Sequence, residues 1–214
     1  RAFENMIIKY IFRILLASTI MLAGGTRVMA IEEAQYAVVK KEDRFELRDY
    51  EPYVLAETIV EGDLEGAGNG AFNRLFQYIS GNNRTQTRVD MTAPVSQQPK
   101  GEKIEMTAPV GQQRVQDKWA VSFMMPASYE LATLPEPLDP KITLREVPAR
   151  RMAAIRYSGF WSEEAYLRNK LELEAWIERT GLTIDGEPVW ARYNSPFSLW
   201  FLRRNEVLYP IRTE

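Results

Sequence analysis

The sequence contains no cysteine and no histidine among its 214 residues. Without cysteine the chain forms no disulfide bond, carries no thiolate nucleophile and offers no cysteine-based zinc or iron–sulfur site. Without histidine it lacks the base of the Ser-His-Asp and Cys-His hydrolases and the usual histidine-containing zinc sites. Catalysis would have to rely on carboxylate, tyrosine, lysine or serine side chains, and no spacing of these residues marks a catalytic site. We therefore expect neither an enzyme nor a side-chain metal site.

The chain also lacks an excess of positive charge. Lysine and arginine number 27 against 29 aspartate and glutamate residues, and the formal net charge at pH 7 is −2. Because nucleic-acid binding depends largely on basic patches, we expect no nucleic-acid partner. Apolar residues make up 45% of the chain, which is enough for the core of about one domain.

The first thirty residues have the pattern of a secretory signal peptide. Lys9 and Arg13 form a basic start, and the apolar run Ile14–Ala23 follows. This run is too short to span a bilayer comfortably, and "VMA" at Val28–Ala30 places small residues at a cleavage site. We expect residues 1–30 to be removed and the protein to be periplasmic or secreted. The alternative is an N-terminal segment that stays uncleaved as a membrane anchor.

The mature chain would be a single domain of residues 31–214. If Met6 is the natural start, Arg1–Asn5 are not native residues. The sequence predicts contact with a membrane only through the N-terminal segment, and only if that segment is uncleaved. It does not predict an oligomeric state.

One short phrase occurs twice, as "MTAPVSQQ" at Met91–Gln98 and "MTAPVGQQ" at Met106–Gln113. Apolar and non-apolar residues alternate in both, which is typical of half-buried strands. Pro99–Glu102 has turn chemistry between them. We predict two neighbouring antiparallel strands, with Met91 and Met106 on one face of the sheet.

A longer repeat predicts the fold. Phe45–Gly62 and Ile142–Gly159 lie 97 residues apart, and each is interpreted as strand, turn, strand. Each is followed by a helix, over Leu64–Ser80 and Ser162–Thr180, that ends at a glycine. This order indicates an internal pseudo-two-fold repeat. The fold class is α+β, a distorted antiparallel β-barrel or sheet with two flanking helices.

Five stretches of the sequence resemble the SOUL haem-binding protein family. They are "MTAPV", "EKIEMTAPV", "VSFMMP", "LPEPLDPKITLREVPARRMAAIRYSGFWSE" and "FLRRNEVLYPI", and the resemblance covers Tyr36 to Ile211. It implies the same duplicated barrel, which is shared with gyrase-inhibitor-like small-molecule-binding domains. It also implies non-covalent binding of haem or another tetrapyrrole, a small hydrophobic ligand.

The first helix has an aromatic face beside its core face. Phe72 and Phe76 lie one turn apart on this helix. Around the helix axis Phe72 lies about 60° and Phe76 about 100° from Leu75, so Phe76 is well outside the core stripe. One interpretation is a broad face covered by the barrel and a loop, and the other is a shelf for a flat apolar ligand. The family resemblance implies the second. It places Asn69, Phe72, Phe76 and Gln77 in the site, together with a loop at Leu199.

The sequence departs from the family at this site. The resemblance implies basic residues for the ligand's carboxylates at positions 69, 77 and 199, and all three are uncharged here. Arg74, Arg84 or Lys103 could substitute. Because the chain has no histidine, any haem iron would be held by tyrosine, methionine or nothing. Two alternative functions stay open: a gyrase-inhibitor-like hydrolase, which would need a glutamate beside a tyrosine in a cleft, and a protein-interaction module without a ligand.

Overall fold

The computed structural model describes residues 31–64, 66–85, 101–195 and 197–213. Ile31–Glu214 form one compact unit. The predicted signal peptide and Met91–Gln98 lie outside the described residues, so both expectations stay predictions. In the described ranges, neither helix is long and apolar enough to cross a bilayer.

The described elements are eleven strands, two α-helices and one 3-10 turn. The first half contains β1 (Tyr36–Glu42), β2 (Phe45–Tyr50), β3 (Tyr53–Val60), α1 (Ala67–Ile79), β4 (Asn83–Arg84), β5 (Val110–Val115) and β6 (Lys118–Met124). The second half contains β7 (Glu136–Pro137), β8 (Ile142–Val147), β9 (Arg150–Tyr157), α2 (Glu163–Arg179), β10 (Val189–Arg192), a 3-10 turn at Trp200–Leu202 and β11 (Asn205–Pro210).

Nine of these strands form one curled antiparallel sheet, a half-barrel, in the order β1-β2-β9-β11-β10-β5-β6-β3-β8. Apart from β1, the strands that correspond in the two halves hold equivalent places in the sheet. The order β2-β9-β11-β10 from one edge corresponds to β8-β3-β6-β5 from the opposite edge. The fold class and the pseudo-two-fold arrangement that the sequence predicts are therefore confirmed.

A duplicated strand–turn–strand unit accounts for this symmetry. The bounds of β2 and β3 recur in β8 and β9 at an interval of 97 residues. The two strands of one unit do not pair with each other; they pair with the other unit, β2 with β9 and β3 with β8. Gly62 and Gly159 follow the two units with φ of 120° and 134°, a conformation that residues with a Cβ rarely adopt.

Each helix covers one half of the sheet. Helix α1 packs on β3 and β6, and its core partners include Val121 and Phe123. Helix α2 packs on β9 and β11, and its core partners include Trp190 and Tyr209. The two helices therefore contribute to two separate apolar clusters.

The predicted strand at the second "MTAPV" phrase is wrong in its position. Strand β5 begins only at Val110, and the Met106 residue is 39% exposed. The Ala108 amide donates to the Glu32 carbonyl at 2.8 Å, and the following Pro109 has no amide hydrogen to donate. The segment therefore pairs locally with the chain around Glu33 before the sheet begins.

Candidate functional site

The aromatic face of α1 is present in the structure. Phe72 and Phe76 stack with ring centroids 6.0 Å apart and an interplanar angle of 10°. The inner ring, Phe72, also meets Phe123 of the sheet edge-on at 5.2 Å. Phe76 is 45% exposed, whereas Leu75 beside it is fully buried. The two rings form a shelf that is anchored at Phe72 and open at Phe76.

The other predicted site residues lie around this shelf or on a separate loop. Asn69 and Gln77 are exposed on α1. Leu199 is 59% exposed and lies in the loop between β10 and β11. None of the three carries a charge, so these positions cannot supply the basic, carboxylate-binding side chains that the family resemblance implies.

Two of the three substitutes expected from the sequence already pair with carboxylates. Arg74 donates to the Asp139 carboxylate at 3.1 Å and to the Thr58 hydroxyl at 2.8 Å, so its guanidinium is already paired. Arg84 pairs with Glu136 at 3.2 Å on the surface. Lys103 is exposed and precedes the buried Ile104.

A stack of arginine and tryptophan side chains joins α1 to the loop before β11. A Cβ at Gly68 would lie 3.2 Å from the Arg192 Nη2 atom, so the missing side chain admits the guanidinium. The Arg192 guanidinium lies over the Trp161 ring at 5.4 Å, and Arg203 lies over the same ring at 4.8 Å. Arg203 Nε then donates to the Ser198 carbonyl at 2.9 Å. These contacts bring the loop that carries Leu199 to the N-terminal end of α1.

Arg192 is a partly buried cation without a described carboxylate partner. Its Nη2 atom donates to the Gln112 side-chain oxygen at 3.1 Å, while its buried Nε atom has no hydrogen-bond partner in the described structure. Burial lowers the pKa of Arg192 to about 10, because a charged group is disfavoured away from water. A ligand carboxylate at this position would supply the missing counter-charge.

Arg192, Trp161 and Arg203 are functional candidates that sequence reasoning missed. Trp161 and Arg203 occur inside the phrases that carry the family resemblance. Nothing in their spacing indicates that they stack, because Trp161 lies between β9 and α2 whereas Arg192 ends β10. Only the folded sheet brings them together.

A second candidate site lies on the sheet itself, in a cavity of about 70 Å³ whose lining includes Tyr50, Tyr53 and Tyr193. None of the five predicted site residues lines it. Its carboxylate, Glu57, accepts two hydrogen bonds from Arg145, at 2.9 and 3.2 Å. This volume is well below the roughly 300–1,000 Å³ of a typical ligand pocket.

The glutamate–tyrosine pair that a hydrolase would need is not open to a substrate at Tyr193. The Tyr193 hydroxyl donates to Glu206 at 2.9 Å, but Glu206 has no exposed surface. Both Glu206 oxygens accept hydrogen bonds from the buried Arg48, at 2.7 and 3.0 Å. This cluster of buried charges is internally paired, which suits a structural role.

Comparison with known proteins identifies the family. Residues 31–210 match the family model described as SOUL heme-binding protein. The chain belongs to the SOUL haem-binding family. A curated relative, heme-binding protein 2 of Homo sapiens, is 25% identical over 173 residues, which cover 76% of this chain and 79% of that protein.

Solved structures show the fold. A hydrolase from Listeria innocua is 13% identical with a TM-score of 0.55, and the match covers 81% of this chain and 94% of that one. The C-terminal domain of EcmrR is 11% identical with a TM-score of 0.51, covering 84% of this chain and 99% of that domain. At these identities the similarity concerns the half-barrel and its two helices, and says nothing of ligand or activity.

Proposed function

We propose that this SOUL-family protein binds haem or another tetrapyrrole non-covalently beside α1. The observation that carries the proposal is that α1 bears the open aromatic shelf of Phe72 and Phe76 and, at Gly68, meets an Arg192 guanidinium without a described carboxylate partner. A flat apolar ring with carboxylate side chains matches both features, since aromatic faces stack and guanidinium groups bind carboxylates.

The spacing of the two features suits such a ligand. Gly68, which admits Arg192, and Phe76 are eight residues apart on one helix, or about 12 Å at 1.5 Å per residue. That span is comparable with the width of a porphyrin together with its carboxylate side chains. Asn69 lies between them and can donate a hydrogen bond to the rim of the ligand.

The donor set fits the macrocycle better than its iron. The sequence contains no histidine or cysteine, and the described residues hold no cluster of acidic side chains that could bind a metal. Tyr78, the tyrosine of α1, is buried and donates its hydroxyl to the Pro135 carbonyl at 2.9 Å. The affinity should therefore come from apolar burial and from the carboxylates, with little contribution from iron.

Titration of residues 31–214 with hemin and with metal-free protoporphyrin tests this proposal. Absorbance and the quenching of tryptophan fluorescence report binding of either compound. We expect similar dissociation constants for the two. If neither compound binds below tens of micromolar, the proposed function is wrong, although the fold and family assignments would stand.

Arg192→Gln tests the carboxylate contact. We expect a loss of affinity of about tenfold or more for a dicarboxylate porphyrin, as for a charged hydrogen bond of roughly 1.5–3 kcal/mol. The same substitution should have little effect on the dimethyl ester of that porphyrin. Arg212→Gln is the matched control, because Arg212 is exposed and contacts Asp185 at 3.5 Å. Equal losses for the acid and the ester would remove Arg192 from the site.

A further inference from the structure

A second apolar surface lies at the other side of the Arg192–Trp161 stack. We call it the aromatic loop patch, and its large side chains are all at least half exposed: Phe160 61%, Phe197 93%, Leu199 59%, Trp200 50%, Phe201 52% and Leu202 66%. Phe160 stacks on Trp200 at 5.4 Å, and Trp200 meets Phe201 edge-on at 5.5 Å. Contiguous exposed apolar side chains of this kind mark an interaction surface.

The backbone holds these side chains outward. The Gly159 amide donates to the Trp200 carbonyl at 3.1 Å, and the Leu202 amide donates to the Leu199 carbonyl at 2.9 Å. The Arg203 amide also donates to the Trp200 carbonyl, at 3.3 Å. The loop is therefore a hydrogen-bonded turn whose polar backbone groups face one another while its apolar side chains face away.

A polar cavity of about 590 Å³ is lined by residues that include Ser158, two positions before Phe160 in the chain. Six cationic side chains surround it: Lys41, Arg44, Arg48, Arg156, Arg168 and Arg204. Asp43 and Glu46 are the acidic residues in the same lining. The cavity and the aromatic loop patch thus adjoin through Ser158 and Gly159.

Four of the six cations are neutralised by carboxylates. Arg48 pairs with Glu206 at 2.7 Å, Arg204 with Glu33 at 2.8 Å and Lys41 with Glu46 at 2.8 Å. Arg44 pairs with Glu172. The two remaining cations of the lining are Arg156 and Arg168.

Arg156 and Arg168 retain their charge for an external anion. Within the described ranges the Arg156 side chain has no hydrogen bond or ion pair. Arg168 reaches Glu164 only at 3.8 Å, with both side chains mostly in solvent. Two guanidinium groups on one cavity are suited to a phosphate group, which each can bind with two N–H donors.

We propose that the aromatic loop patch docks on a lipid bilayer and that Arg156 and Arg168 bind the phosphates of anionic phospholipids. Tryptophan, phenylalanine and leucine are the side chains that enter the interfacial region of a bilayer. The two adjoining cations complement an anionic membrane surface. This inference goes beyond the proposed ligand, and it differs from the expectation that only the N-terminal segment contacts a membrane.

The charges also disfavour a second copy of the chain as the occupant. In a two-fold symmetric dimer the same patch meets itself. The Arg156 and Arg168 pair of one copy would then lie near the same pair of the other, and like charges at an interface are destabilising. A bilayer offers apolar depth and negative charge on the same surface.

Sedimentation of residues 31–214 with lipid vesicles tests the docking. This unit contains the two apolar clusters and all of the described helices and strands, and leaving out residues 1–30 removes a competing apolar segment. We expect binding to vesicles of phosphatidylglycerol and phosphatidylcholine, and weaker binding to phosphatidylcholine alone. Trp200 is 50% exposed and Trp161 is half-buried, whereas Trp119, Trp176 and Trp190 are buried, so most of a blue shift of the emission should disappear in Trp200→Phe while binding persists.

Two pairs of variants separate the contributions. The double change Trp200→Ser and Phe201→Ser should weaken binding to all vesicles at least tenfold, and Leu138→Ser, at a residue 51% exposed elsewhere, should not. The double change Arg156→Gln and Arg168→Gln should weaken binding to anionic vesicles by about 30-fold, from two basic residues at a charged surface. Arg84→Gln with Arg212→Gln is the charge-matched control.

Three outcomes would overturn the proposal. One is wild-type protein that binds no vesicle. Another is an equal effect from the control variants, which would show non-specific adsorption. The third is a stable dimer in analytical ultracentrifugation that the Trp200→Ser and Phe201→Ser changes dissociate. Porphyrin titration of the Arg156 and Arg168 double variant should match wild type, so failure of the docking is distinguishable from failure of the proposed function.

Discussion

The two helices of the duplicated fold have the same buried positions and different outer faces. The buried residues of α1 are Gly68, Ala71, Leu75, Tyr78 and Ile79, and those of α2 lie 98 positions later: Tyr166, Asn169, Leu173, Trp176 and Ile177. The strand–turn–strand units before them repeat at an interval of 97 residues, so the second linker is one residue longer while the helix keeps its core register. Packing on the sheet therefore constrains both helices in the same way.

The difference lies next to the core stripe. At the positions where α1 has Phe72 and Phe76, α2 has Lys170 and Glu174, which form an ion pair at 2.8 Å. Burial acts to raise the pKa of the Glu174 carboxyl, but hydrogen bonds from Lys170 and Tyr209 outweigh it and hold that pKa below its usual value. One helix thus closes this face with an ion pair, and the other leaves two aromatic rings open.

The two helices also differ in the capping and charged residues at their ends. The Ser162 hydroxyl accepts from the Ala165 amide at the start of α2, Glu163 and Glu164 lie in its first turn, and Arg179 lies in its last. These features stabilise a helix by capping and by interaction with its dipole. Helix α1 has no charged residue in its first or last turn and contains two glycines. The comparison indicates that α2 is stabilised along its length and at both ends, whereas α1 is held by its core face and leaves Phe76 of its outer face exposed.

The largest expected effect tests the shared half of this comparison. Leu75→Ala and Leu173→Ala each remove a side chain with no exposed surface. Each should lower the free energy of unfolding by about 2–5 kcal/mol, the range for a buried leucine. Urea denaturation followed by circular dichroism measures both. If Leu75→Ala costs less than about 1 kcal/mol, the core of α1 is not equivalent to that of α2.

Much of this architecture could be predicted from the sequence. The 97-residue interval between the two strand–turn–strand units indicates two equal halves, and a hydrophobic period near 3.6 separates the core stripe of α1 from Phe76. Positive-φ glycines and the Ser162 cap also have local signals. Phe72 and Phe76 form the predicted shelf for this reason: an exposed face of one helix is decided by residues of that helix.

The parts that could not be predicted depend on contacts between distant segments. Arg192 meets Gly68 and Trp161 only after β10 joins the sheet, and no local pattern contains that information. Apolar and polar residues alternate in the second "MTAPV" phrase as in a strand. However, the Ala108 amide donates its hydrogen bond to the Glu32 carbonyl, and β5 begins only at Val110. Here tertiary pairing overrides the sequence period.

Phe76→Ala tests the outer face of α1, where the two helices differ. It should weaken porphyrin binding tenfold or more, since a covered phenylalanine contributes roughly 1.5–3 kcal/mol. The free energy of unfolding should change by less than about 1 kcal/mol, because nearly half of the side chain is already exposed. Absorbance titration and urea denaturation of the same sample separate the two effects. Unchanged binding would mean that the shelf is not the site.

Ser162→Ala tests the difference at the helix ends. Loss of the cap should lower the free energy of unfolding by about 1 kcal/mol, with a range of roughly 0.5–2 kcal/mol. Porphyrin binding should be unaffected, because Ser162 belongs to α2. Thr133→Ala is a suitable control, since its hydroxyl bonds within an exposed turn. A change in affinity with Ser162→Ala would contradict the assignment of stability to one helix and ligand binding to the other.

The two glycines of α1 give the smallest and most selective test. A Cβ at Gly70 would meet no atom within 4 Å, so Gly70→Ala should stabilise the protein by about 0.5–1 kcal/mol through the better helix propensity of alanine. That gain corresponds to a rise in Tm of about 1–4 °C for a domain of this size. Gly68→Ala has the same propensity gain, but its Cβ would lie 3.2 Å from Arg192 Nη2 and must displace that guanidinium. We expect little or no rise in Tm and weaker binding of a dicarboxylate porphyrin. Equal stabilisation by both substitutions, with affinity unchanged, would show that the approach of Arg192 to α1 has no part in the site.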